Sequence, residues 1–205
     1  KLAAEVAILN SEIEAISLRY FNVHGPRQDP NGAYAAVIPA FIHKLMQCES
    51  PIIYGSGEAT RDFVTVDDVA SANVLALTTQ SESAVNQVYN VASGTSISIS
   101  NLFNTLRDLL AEKDPKLALV EPSLQPTRGG DILHSSASIE KARTLLGFNP
   151  ETDPHRALAA TVEAYWVQHA WRLGEIPFAT TIRKVSPCNQ VTKFLNPGFN
   201  QIRVL

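Results

Sequence analysis

The chain is expected to be an α/β protein, and three observations predict it. Short apolar, strand-like runs alternate with helical stretches along most of its length. Several of the helical stretches carry their own start and stop residues, and long turn-rich loops follow the strand ends. In order, residues 1–14 place Leu2, Val6 and Leu9 on one helical face with Glu5 on the flank, and 15–20 form a buried strand ending at Arg19 and Tyr20. Gly25-Pro26 and Asp29-Pro30-Asn31-Gly32 are dense turn signals, so 22–33 is expected as a long loop. Helix resumes over 34–48 with Val37, Phe41 and Leu45 on one face and Pro39 in the first turn, where a missing N–H costs little.

Residues 51–54 and 62–66 read as strands, and Asp67 and Asp68 cap a helix to about Thr79 with Val69, Asn73, Ala76 and Leu77 inward. Another strand covers 87–91. Ser98 then caps the cleanest helix, in which Ile99, Leu102, Phe103, Leu106, Leu109 and Leu110 share a face. Leu117 to Val120 is expected as a strand, Pro122 to Gly130 as a loop, and Ser138 to Leu146 as a short helix stopped by Gly147. A last helix runs over about 155–170 with Leu158, Val162 and Tyr165 inward. Residues 171–205, broken by Pro177, Pro187 and Pro197-Gly198, read as an irregular tail.

The 205 residues are 45% apolar and 18% charged, with net charge −3. That composition suits a globular protein and supplies no field for nucleic acid or an anionic membrane. No apolar run approaches the roughly 18 residues a membrane span needs. Cys48 and Cys188 read as reduced thiols of a cytoplasmic protein, and the five histidines make no i, i+4 pair, so no metal site is expected. No Gly-x-Ser-x-Gly elbow supports a serine hydrolase. The start on Lys1, without an initiator Met, suggests a fragment.

Three constellations carry chemistry. Asn22 stands just past a strand end, where open parallel sheets bind ligands. It reads equally as a ligand donor and acceptor or as the stabiliser of its own turn. Gly55-Ser56-Gly57 before Arg61 lets backbone approach a ligand while a planar guanidinium grips a diphosphate, although most Gly-x-Gly pairs are hairpin turns. Arg128-Gly129-Gly130-Asp131 offers one cation and one carboxylate, and alone would read as a solvated loop.

Together these segments resemble the extended short-chain dehydrogenase/reductase family of NAD-dependent nucleotide-sugar epimerases and dehydratases. The resemblance is carried by residues 18–25, 55–70, 89–92 and 128–131, then by His134-Ser135, Lys141-Ala142 and 145–150. Leu133 stands where the family commonly has Arg, and Ser138 where it commonly has Asp. Residues 27–39 look most similar to the UDP-N-acetylhexosamine and uronic acid 4-epimerases. The resemblance implies the C-terminal part of a Rossmann-like parallel sheet (1–33 and about 62–95) plus a smaller α/β substrate domain (34–61 and 96–170).

It further implies NAD as cofactor, a UDP-sugar substrate and a homodimer at full length, with no nucleic-acid or membrane partner. Lys1 would correspond to the lysine of the catalytic Tyr-x-x-x-Lys pair, touching NAD, with Phe21 also at the cofactor. Its bland reading is a solvated helix lysine. Asn22, Ala36, Val37, Phe41, Tyr54, Arg61, Arg128, Asp131 and Ser135 would bind the UDP-sugar. The implied reaction is 4-epimerisation, with 4,6-dehydration, decarboxylation or a non-catalytic binding role as alternatives. No Gly-x-x-Gly-x-x-Gly or Gly-x-Gly-x-x-Gly turn occurs in the chain, so alone it is expected to be inactive.

Overall fold

The computed structural model describes residues 1–29, 36–172 and 203–204. Along the chain, α1 (Leu2–Leu9) leads into β1 (Ala15–Tyr20) and β2 (Asn22–His24), then α2 (Val37–Met46) and β3 (Ile52–Tyr54). Next come β4 (Thr60–Arg61), β5 (Phe63–Thr65), α3 (Val66–Thr78), β6 (Gln87–Val91) and β7 (Ile97–Ser98). The order ends with α4 (Ile99–Ala111), a 3-10 segment (Pro115–Leu119), β8 (Ser123–Gln125), α5 (Glu140–Leu146), α6 (Pro154–Arg172) and β9 (Arg203–Val204).

The α/β class is the observed one. β1 lies between β6 and β9 in a parallel sheet, and two further parallel pairs, β2–β5 and β3–β8, stand beside an antiparallel β4–β7 pair. Two hydrophobic clusters result. One gathers long side chains of α2, α4 and α6 around Ile53 of β3, including Phe41, Leu45, Leu106, Leu110 and Val162. The other packs β1 and β6 against α3 and α5 through Ile16, Leu18, Tyr89 and the small Ala72, Ala76 and Ala142.

Local chemistry explains most ends. Ser98 Oγ accepts the Asn101 amide at 3.1 Å and starts α4, and Gly147, left-handed at φ 70°, ends α5. The cap of α3 is Thr65, not Asp67 or Asp68. Thr65 Oγ1 accepts the Asp68 amide at 3.0 Å and donates to the Asp68 carboxylate at 2.6 Å. Both aspartates then fill the first turn, where the helix dipole favours them.

Five expectations are corrected. α1 stops at Leu9 because Asn10 Nδ2 and Ser11 Oγ take the Val6 and Ile8 carbonyls at 2.8 and 2.6 Å. Its Leu2–Val6 face is exposed, and α1 buries no residue. Leu77 of α3 points outward, while Ala72 and Ala76 supply the buried face. The loop after Phe21 begins with β2, and β8 lies inside 122–130, each too short for periodicity to show. The run 117–120 is helical to Leu119, because Asp114 accepts the Lys116 amide at 3.1 Å and Pro115 opens a 3-10 turn. The turn residues 30–35 and most of the expected tail lie outside the described residues; within the tail, α6 continues to Arg172 and Arg203–Val204 pair with β1.

Candidate functional site

One segment, residues 125–135, crosses the ends of β3 and β4. The Gly55 amide donates to the Gln125 carbonyl at 2.8 Å, pinning one end. At the other, the Thr60 amide donates to the Leu133 carbonyl at 2.8 Å, and the Ser135 amide to the Thr60 carbonyl at 3.1 Å. Thr60 Oγ1 also lies 3.2 Å from His134 Nδ1. Five of the expected site residues therefore sit along one segment: Tyr54 and Arg128 near one end, Arg61 and Ser135 near the other, and Asp131 between them.

At the first end the Arg128 guanidinium lies 3.6 Å from the centre of the Tyr54 ring. A guanidinium held over an aromatic face places positive charge directly beside a ring. Gly55 and Gly130 hold φ of 74° and 84°, which glycine alone adopts readily. Asp131 is exposed on the same turn, its amide donating to the Arg128 carbonyl at 3.3 Å. Arg61 is half-buried in β4 and donates to the Thr60 carbonyl at 2.8 Å through one nitrogen, which orients its fork.

Asn22 is held from below. Its main-chain and side-chain amides both donate to the Asp62 carbonyl, at 3.3 and 2.8 Å, so it braces a neighbouring strand end rather than its own turn. The Phe21 amide is spent on the Val91 carbonyl at 3.0 Å. Asp62, which the sequence reading passed over, is fully buried. Its carboxylate accepts from the Ser93 amide and hydroxyl, each at 2.8 Å, and from the Gly94 amide at 3.1 Å. The available signal was an Asp after Arg61 facing a Ser-Gly turn.

Three other residues lie at the start of α2. Ala36 caps the helix and Val37 packs half-buried on the first cluster. Phe41 is 4% exposed and edge-on to Phe103 at 6.2 Å, so its ring belongs to the core and offers a ligand no open surface. Lys1 is exposed, and no hydrogen bond or ion pair among the described residues joins it to the other named residues.

A second polar feature lies behind Asp62. His24 is 2% exposed, with Nδ1 3.0 Å from Thr161 Oγ1 and Nε2 unpartnered among the described residues. Burial pushes its imidazole down to about 4. His24 lines a cavity of about 10 Å³, close to the size of one water, with Phe63, Ser93, Thr95 and Glu151. Among the described residues no group of three or more His, Cys, Asp or Glu could hold a metal ion, and no helix is long and apolar enough to cross a membrane.

Residues 1–92 match the model of the NAD dependent epimerase/dehydratase family. These residues belong to this family. It is 35% identical over 144 residues to the UDP-glucose 4-epimerase of Mycolicibacterium smegmatis, a match covering 70% of this chain and 43% of that protein. The solved UDP-N-acetylglucosamine 4-epimerase of Methanobrevibacter ruminantium, in complex with UDP-N-acetylmuramic acid, is 39% identical with TM-score 0.69, over 82% of this chain and 51% of that one. The UDP-glucose 4-epimerase of Thermotoga maritima with UDP-glucose is 32% identical with TM-score 0.72, over 82% and 52%. The chain thus spans about half the length of the relatives it matches.

NAD is the cofactor of the family. A dinucleotide pyrophosphate needs a cradle of backbone amides on a glycine-rich turn. Among the described residues no such turn is present: Gly55 and Gly57 flank a single serine before Arg61, and Gly129-Gly130 sits in the exposed Arg128–Asp131 turn. What this part of the chain does offer is a guanidinium over an aromatic ring, Arg128 on Tyr54, with Arg61 on the neighbouring strand β4.

Proposed function

We propose that this chain is the UDP-sugar-binding part of an NAD-dependent nucleotide-sugar 4-epimerase taking UDP-hexoses or UDP-N-acetylhexosamines. The observation that carries it is the Arg128–Tyr54 stack joined through residues 125–135 to Arg61 and Ser135. Arg61 and Arg128 neutralise the diphosphate, a task that suits planar guanidinium forks. Tyr54 frames the uracil, Asp131 accepts from the ribose hydroxyls, Ser135 stands by the sugar, and Asn22 turns its side-chain carbonyl oxygen to the ligand. Ala36 and Val37 flank the nucleotide from the start of α2, with Phe41 as the core support beneath them.

In the whole enzyme, bound NAD would supply reversible hydride acceptance at the sugar carbon. The residues here bind and orient the sugar for that step. Lys1 and the Phe21 main chain stand on the cofactor side. The chain alone binds without turning over, and the whole protein is a cytoplasmic homodimer in this reading.

The test is calorimetric titration with UDP-N-acetylglucosamine of wild-type chain and Arg61→Ala. Loss of a charge-assisted clamp is expected to weaken binding by about 2–4 kcal/mol. An unchanged affinity would remove Arg61 from the site.

A further inference from the structure

We propose that Asp62 is a positioning residue: its buried carboxylate, locked to the Ser93–Gly94 turn, fixes the main-chain carbonyl that orients Asn22. The proposal deepens the UDP-sugar reading and rests on it for its ligand.

A carboxylate out of water persists only where donors replace its hydration. Asp62 has them in the Ser93 amide, the Ser93 hydroxyl and the Gly94 amide, at 2.8, 2.8 and 3.1 Å. The donor turn is itself built. Gly94 holds φ 78°, where any side chain is strained, and an added Cβ would stand 3.1 Å from Ile139 Cδ1. Ser93 is buried and also lies 3.0 Å from Thr95 Oγ1. On the other side, the Asp62 carbonyl takes both amide donors of Asn22, at 3.3 and 2.8 Å. Two donors of one residue on a single acceptor fix the side-chain rotation of Asn22 and turn its Oδ1 away from Asp62. The carboxylate therefore sets the atom that sets Asn22. A carboxylate that only joined β5 to the end of β6 would not require the second Asn22 bond.

The experiment combines amide hydrogen exchange by NMR with UDP titration of the full chain. Asp62→Asn keeps the shape while placing an amide where three donors converge. Exchange at the Asn22, Ser93 and Gly94 amides is expected to quicken about tenfold or more while α4 amides hold their rate, since the opening is local. UDP affinity should fall about tenfold, yet less than about twofold when Asn22→Ala is already present, because effects through a shared partner do not add. Ser93→Ala removes one donor, leaves the carboxylate, and covers the case in which Asp62→Asn does not fold; it should give about a threefold effect in the same direction. Unchanged Asn22 exchange in a folded variant, or an equal loss of affinity in both backgrounds, overturns the proposal. Should the wild-type chain bind no UDP, the UDP-sugar reading falls, and exchange at Asn22 alone still decides whether Asp62 orients it.

Discussion

The two hydrophobic clusters are built differently. The first interdigitates Leu, Ile and Phe from α2, α4 and α6 around β3, so its stability lies in long side chains buried on every side. The second sets the small Ala72, Ala76 and Ala142 of α3 and α5 among Ile16, Leu18 and Tyr89 of β1 and β6. Apolar side chains are exposed beside both: Leu2, Val6, Ile13, Tyr20, Val74 and Leu77 on one side, Ile52, Leu119 and Leu124 on the other. The site residues follow the same division. Tyr54 and Arg61 stand on β3 and β4, with Arg128 and Ser135 in the segment that crosses them, and Asn22 stands on β2, whose Val23 packs against the second cluster. Asp62 and His24 form the polar seam between them. The difference is that the proposed ligand residues border the cluster of long side chains, while Asp62 and His24 put polar groups where the two meet.

The largest expected effect is in the first cluster. Leu106→Ala, at a fully buried position, should cost about 2–5 kcal/mol in denaturant unfolding. A cost near zero would mean that the first cluster is not the stronger one.

The seam comes next, through pH. The His24 imidazole falls from an ordinary 6.5 to about 4 when buried. The unfolded chain therefore takes up a proton between those values that the native chain refuses. Stability is full above pH 6.5 and declines as pH falls toward 4, by up to about 3 kcal/mol. His24→Gln should flatten that slope, and the same slope in both proteins would assign the acid sensitivity elsewhere.

A smaller effect is expected where the loop meets α3. A Cβ on Gly25 would lie 2.4 Å from Val66 Cγ1, so Gly25→Ala should destabilise by about 1–3 kcal/mol. Val66 is itself exposed, so adding Val66→Ala should recover much of the loss. The smallest concerns the open face. Leu77→Ala should shift stability by no more than about 0.5 kcal/mol, since the side chain is 43% exposed. A large loss there would show that a covering surface had been removed.

Much of the fold was legible because its long elements follow simple rules. The spacing of Leu102, Phe103, Leu106 and Leu110 marks α4 and its buried face, with Ser98 as the cap. Strands of two or three residues, such as β4 and β8, carry no periodicity, and only their partners define them. The helix face of α1 misled because an apolar spacing states what a helix could bury, and here Glu5 turns to the sheet instead, reaching Arg19 at 2.5 Å. Tyr54 and Arg128 were each singled out by the sequence, but their stacking was not, because they lie 74 positions apart. Asp62 was missed for a physical reason: a buried carboxylate is recognised by its donors, and Ser93 and Gly94 lie a whole helix and strand away.

The most direct measurement is calorimetric titration of the chain with UDP-N-acetylglucosamine, with NAD titrated alongside. The account predicts saturable binding of the UDP-sugar, lost or much weakened in Arg61→Ala, and no comparable binding of NAD. Binding of NAD alone, or of neither ligand by a folded sample, would contradict it.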